Sequence, residues 1–142
     1  MPNKGSYKNI LVAVDGSTAS NIAFKEAIYI AKRNNAKLYV AQVINNKLNY
    51  LPKESIDILV EDCKNLFQEL KDQAKNLDFE DVHSVIEVGS PKEVIATSIP
   101  KRENIDLIVL GATGKHFISG ALMGSLTYHV AIHAECSVQI VR

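Results

Sequence analysis

The sequence predicts an α/β domain built as a doubly wound, five-stranded parallel sheet with helices on both faces. Short apolar runs rich in Val, Ile, Leu and Ala recur at 9–15, 37–44, 82–88, 105–110 and 138–141. That is the composition of strands covered on both faces. Segments with apolar residues at helical spacing separate them. The alternation meets no linker, repeat or low-complexity stretch, so residues 1–142 read as one domain. Alternating strand and helix units imply right-handed crossovers.

Each element has its own signal. The first strand ends at Asp15, and Gly16-Ser17-Thr18 follows as a turn and helix cap. Ala23, Ala27, Ile30 and Ala31, widened by Phe24 and Ile28, form the stripe of a first helix. After the second strand, residues 45–52 are irregular and read as a loop. Ile56, Leu59, Val60, Cys63, Leu66, Phe67, Leu70, Ala74 and Leu77 then form a longer stripe, which makes Cys63 a buried structural thiol. Ser90, Pro91 and Glu93 predict a capping box at the start of a third helix, and Pro100 limits its other end. The fourth strand leads through a glycine-containing loop to a last helix over 126–133.

Composition excludes several classes of function. Lys plus Arg and Asp plus Glu both number 16, giving zero formal net charge and no basic patch suited to nucleic acid. Cys63 and Cys136 have no metal-binding spacing, which speaks against a disulfide framework and for a reducing, cytoplasmic compartment. The first nine residues lack the apolar centre of a signal peptide. No apolar run approaches the ~20 residues of a membrane span. His129 and His133 are four apart, but no third ligand accompanies them, so no metal site is assigned there.

Gly111-Ala-Thr-Gly114, nine further residues and then Gly124-Ser125 carry the chemistry. They connect the carboxyl end of a strand to the amino end of a helix. Glycines let backbone N–H groups approach an anion, and a helix start adds unpaired donors and a positive dipole end. The segment is not a Walker loop: Val109 occupies the first glycine position and His116 replaces Ser/Thr. A dinucleotide GxGxxG fingerprint is absent. Lys115 could serve as a point charge toward phosphate or as a solvated loop residue.

Gly111-x2-Gly114-x9-Gly124-Ser125, with Ile10-Leu-Val-Ala-Val-Asp15-Gly-Ser17, Gly89-Ser-Pro91 and Ala134-Glu-Cys-Ser-Val-Gln-Ile-Val141, resembles the universal stress protein family over 7–142. The spaced glycines resemble those of its ATP-binding subgroup. The resemblance implies an adenine-nucleotide alpha-hydrolase-like fold with strand order 3-2-1-4-5. In such a sheet ligands bind beyond the strand carboxyl ends where the order reverses, and Asp15 and Gly111 converge on that crevice. The implied ATP contacts are Asp15 and backbone at Ala13 and Val43, with Gly111, Thr113, Gly114, Gly124, Ser125, Leu126 and Thr127 around the phosphates. Mg²⁺ would accompany the nucleotide, with Asp15 as an oxygen partner.

No catalytic residue is assigned. Asp15 and His116 are the only bases near the crevice, and neither has an evident orienting partner. The expected function is therefore a nucleotide-dependent regulator in stress response that acts on a protein partner. The alternative is a slow ATPase or autokinase, with Ser125 or Thr127 as acceptor. In the implied order, Val138-Gln-Ile-Val141 is a sheet edge blunted by no charge before Arg142. Pairing with its copy in a second chain would form a two-fold homodimer, which the resemblance also implies.

Overall fold

The computed structural model describes residues 5–46, 51–113 and 123–142. The five strands are β1 (Asn9–Ala13), β2 (Lys37–Asn45), β3 (Val82–Gly89), β4 (Leu107–Gly111) and β5 (Ser137–Val141). They form one sheet in the order β3-β2-β1-β4-β5, and all neighbours are parallel. Helices α1 (Thr18–Asn34), α2 (Lys53–Asn76), α3 (Pro91–Glu93), α4 (Ile99–Glu103) and α5 (Ser125–His133) surround it, with a π-turn over Val94–Ser98 joining α3 to α4.

Both faces of the central strands β1, β2 and β4 are buried, which is why these strands read as continuous apolar runs. On one face Ile10, Val12, Val40 and Val109 pack with Phe24, Ala27, Ile28 and Ala31 of α1 and Leu70 and Ala74 of α2. On the other, Leu11, Ala41 and Ile108 pack with Ile95, Ile99 and Val130. Ile10 and Val12 face one way and Leu11 the other, as the two-residue strand period requires.

Several boundaries differ from the sequence reading for identifiable reasons. β1 stops at Ala13; Val14 still donates to the Ala41 carbonyl at 2.9 Å, but Asp15 has turned out of the ladder. β4 begins at Leu107 because Asp106 bridges strand starts, its carboxylate accepting from the Lys8 and Asn9 N–H groups at 2.9 and 3.1 Å. Pro100 lies inside the helical run instead of ending it. A proline offers no N–H to residue i−4 and crowds that carbonyl. The wider turn before it accommodates the ring, with the Ile99 N–H reaching back to the Val94 carbonyl. Ser90 does occupy the N-cap and Pro91 the first helical position, but the Ser90 side chain makes no capping bond, so the expected capping box is not formed.

α2 departs most from expectation. Only Leu70 and Ala74 are buried along it, while Cys63, Leu66 and Phe67 are half-buried and Leu59 is exposed. The helix closes the core with its carboxyl half. Part of its amino half borders an open cleft.

Candidate functional site

The strand order reverses between β1 and β4, and a cleft of about 790 Å³ opens at the carboxyl ends of the sheet there. The β1–α1 turn forms one side. The Asp15 carboxylate accepts the Ser17 N–H at 2.9 Å, and the Ser17 hydroxyl caps α1 by accepting the Ser20 N–H at 3.1 Å. The Asp15 N–H in turn meets the Ser20 hydroxyl at 3.3 Å. Gly16, at φ +82°, supplies the left-handed residue this turn needs. The network holds an exposed carboxylate at the rim of the cleft.

The described ends of the β4–α5 connection form the opposite side. The Ala112 N–H donates to the Val141 carbonyl at 2.9 Å, and the Gly124 N–H donates to the Ala112 carbonyl at 2.8 Å. These bonds bring Thr113 and Gly124 together at the cleft. Gly124 is the N-cap of α5 and brings no side-chain acceptor, so the first-turn N–H groups of α5 have no side-chain cap. Ser125, Leu126 and Thr127 of that turn line the cleft. First-turn donors without a side-chain cap and the positive end of the helix dipole thus meet at the cleft, an arrangement suited to an anion.

The two glycines flanking this connection serve different ends. A Cβ on Gly111 would lie 2.8 Å from the Ala19 carbonyl oxygen and 2.9 Å from its carbon, so glycine here lets α1 pack on β4. The Gly111 carbonyl accepts the buried Thr127 hydroxyl at 2.8 Å, tying strand to helix beneath the cleft. Gly111→Ala should therefore lower stability by about 1–3 kcal/mol through overpacking against backbone. Thermal melts check this, and an unchanged midpoint would contradict the packing role. Gly124, at φ −67° and ψ 157°, has a conformation open to any residue.

β2 and α2 make the third wall. Gln42 is 4% exposed, and its amide nitrogen donates to the Cys63 carbonyl at 2.7 Å. Val43, Leu59 and Leu66 give this wall an apolar surface, with Asp62 beside them. Burial, and secondarily the charge of Asp62, push the Cys63 thiol above its ordinary range. Cys63 is half-buried at the cleft, not enclosed in the core as its helical stripe suggested. Ser90, Pro91, Lys92 and Ile95 complete the boundary.

Every described sequence candidate lines the cleft: Ala13, Asp15 and Val43 from the first two strands, and Gly111, Thr113, Gly124, Ser125, Leu126 and Thr127 around the fourth. Gly114, Lys115 and His116 lie outside the described residues. The sequence reading missed Gln42, Asp62 and Lys92. Gln42 alone had a signal, as a polar residue in phase with Val40 and Ile44 inside an apolar strand. His129 and His133 stack at 4.3 Å on α5, and the described residues include no cluster of three or more His, Cys, Asp or Glu able to hold a metal. No helix among the described residues is long and apolar enough to cross a membrane.

A profile of the universal stress protein family matches residues 6–142. A Staphylococcus aureus relative (strain USA300) named for that family is 38% identical over 142 residues, covering 96% of this chain and 85% of its own. Among solved structures, universal stress protein UspA from Lactobacillus plantarum superposes with a TM-score of 0.85 at 32% identity, over 98% of this chain and 100% of its own. A universal stress protein crystallised in complex with cAMP gives a TM-score of 0.78 at 26% identity, over 97% and 99%.

Proposed function

The chain belongs to the universal stress protein family, and from that membership and the chemistry of the cleft we propose that it binds ATP with Mg²⁺ as a nucleotide-dependent, homodimeric regulator. The observation that carries the reading is the α5 N-terminus, without a side-chain cap, opening onto the crevice where strand order reverses. The related structure with bound cAMP supports an adenine nucleotide as the ligand class.

In this reading the first-turn N–H groups of α5 and the Thr113 and Ser125 hydroxyls hold the phosphates, together with Gly114. Asp15 faces the ribose hydroxyls or the metal, and backbone at Ala13 and Val43 borders the sugar and base. The donor set fits Mg²⁺, which takes oxygen ligands from one or two carboxylates and from phosphate; Asp15 and Asp62 both line the cleft. Bound Mg²⁺ would offset phosphate charge beside these acidic groups. The nucleotide state then biases the surface that a protein partner in the cytoplasm reads.

The same pocket used as a slow ATPase or autokinase is the weaker reading. The Thr127 hydroxyl is buried and donates to the Gly111 carbonyl, which makes it a poor phosphoryl acceptor.

Calorimetry with Mg-ATP tests the proposal, and Asp15→Asn gives the informative contrast. Asparagine keeps an acceptor for the Ser17 N–H and so preserves the turn, but it removes the charge. Wild type should bind one ATP per chain, and the variant should bind about ten-fold more weakly at an unchanged melting temperature. No heat with wild type would reject the proposal; equal affinities would confine Asp15 to the turn.

Cys63 offers a second readout. With its thiol pushed upward, the thiolate fraction at neutral pH is below that of an ordinary cysteine, so alkylation should be slow and should accelerate as pH rises. Saturating Mg-ATP should slow it further because the residue lines the cleft. Mass-resolved alkylation rates check this, and labelling at Cys63 that ATP leaves unchanged would place the nucleotide elsewhere.

A further inference from the structure

We infer that Gln42 selects the base of the bound nucleotide, by presenting a fixed hydrogen-bond acceptor to an exocyclic amine such as adenine N6. The inference rests on the nucleotide-binding reading and assigns base choice within it to a side chain.

Gln42 lines the cleft although it is only 4% exposed. A carboxamide can ordinarily turn over and exchange its donor and acceptor ends. Here it is held. Its Nε2 donates at 2.7 Å to the Cys63 carbonyl on α2, and a carbonyl only accepts. Turning the amide over would set oxygen against oxygen and leave Nε2 without that acceptor. The amide therefore keeps Oε1 as its remaining hydrogen-bonding atom.

Oε1 receives no hydrogen bond from the described residues, nor is it among their fully enclosed polar atoms that lack a partner. It is thus an acceptor accessible from the cleft. An acceptor largely withdrawn from water gains most from a ligand donor and tolerates a ligand acceptor least.

Its position suits the base. β1 lies between β2 and β4, so Gln42 sits about two strand spacings, ~10 Å, across the sheet from the strand that leads to α5. Phosphates at the α5 N-terminus would leave the other end of the nucleotide near β2. The apolar side chains of Leu59 and Leu66, on the helix that holds the Gln42 amide, line the cleft there and suit a planar ring. An adenine presents an amine at its six-position. A guanine presents a carbonyl there, which would oppose Oε1.

The test uses calorimetry of the full chain in Mg²⁺ with ATP, GTP and purine riboside triphosphate, which lacks the six-amino group. Wild type should bind ATP about ten-fold or more tightly than the purine analogue, and GTP more weakly still. Gln42→Leu should lower ATP to the level of the purine analogue while leaving the analogue nearly unchanged. A purely structural tie between β2 and α2 would instead shift all three ligands together. Equal binding of ATP and the analogue by wild type, or undiminished preference in Gln42→Leu, would overturn the inference while the nucleotide site stands. Absence of ATP binding would overturn both. Should Gln42→Leu fail to fold, Gln42→Met, close to glutamine in length but without its acceptor, makes the same comparison of ATP with the analogue.

Discussion

Replacing Gly124 by Asp should reduce ATP affinity at least a hundred-fold and leave the protein as stable as before. Gly124 is the N-cap of α5, and its φ of −67° and ψ of 157° demand no glycine. Aspartate is a strong N-cap residue and carries negative charge toward the positive end of the helix dipole. It should therefore satisfy first-turn N–H groups and change stability by a few tenths of a kcal/mol, in the favourable direction. Those same donors are the ones a phosphate would use. The variant thus separates folding from binding, which a bulky residue cannot do cleanly. Calorimetry and thermal melts measure the two effects. Wild-type ATP affinity in a stable Gly124→Asp protein would remove the α5 N-terminus from the site.

Ile140→Pro should convert the proposed homodimer into monomers while preserving the sheet within each chain. Among the described residues β5 is an edge strand, paired with β4 alone. The Val141 carbonyl accepts the Ala112 N–H, so the main chain of Val141 faces inward. Main-chain groups alternate sides along a strand, and the Ile140 N–H accordingly faces the open edge. Proline at 140 removes an edge donor. Proline at 141 would instead break the β4–β5 ladder and confuse dissociation with unfolding. Light scattering should report twice the chain mass for wild type and one chain mass for the variant. A monomeric wild type, or a variant that stays dimeric, would contradict pairing through β5.

The sheet was legible because its information is local and repeated. Each strand is an apolar run and each long helix carries a stripe, and the reversal of order at β1 and β4 followed from the family resemblance. What escaped was set by contacts between distant segments. Asp106 sets where β4 starts by binding backbone of Lys8 and Asn9, nearly a hundred residues earlier. Pro100 stayed inside its helix because the turn before it widened, an adjustment without a residue signature. The reason for glycine at 111 is the carbonyl of Ala19.

The site divided in the same way. Asp15, Gly124 and Ser125 were readable because they punctuate strand–helix junctions. The α2 wall was not, since Leu59, Cys63 and Leu66 look like any core stripe until the open amino half of that helix is seen. Gln42 lay between the two. Its polarity was visible in the strand, but its partner, the Cys63 carbonyl, belongs to a helix 21 positions along the chain.

The proposed adenine nucleotide, with its phosphates at the start of α5, should perturb the backbone amides around this cleft. Titration of Mg-ATP into isotopically labelled protein, followed through backbone amide resonances, tests occupancy and location together. The largest shifts are expected at Gly124, Ser125, Leu126 and Thr127, with smaller ones at Asp15, Gln42 and Val43 and none across the far ends of the strands. Shifts centred elsewhere, or a spectrum unchanged at millimolar ATP, would contradict the account.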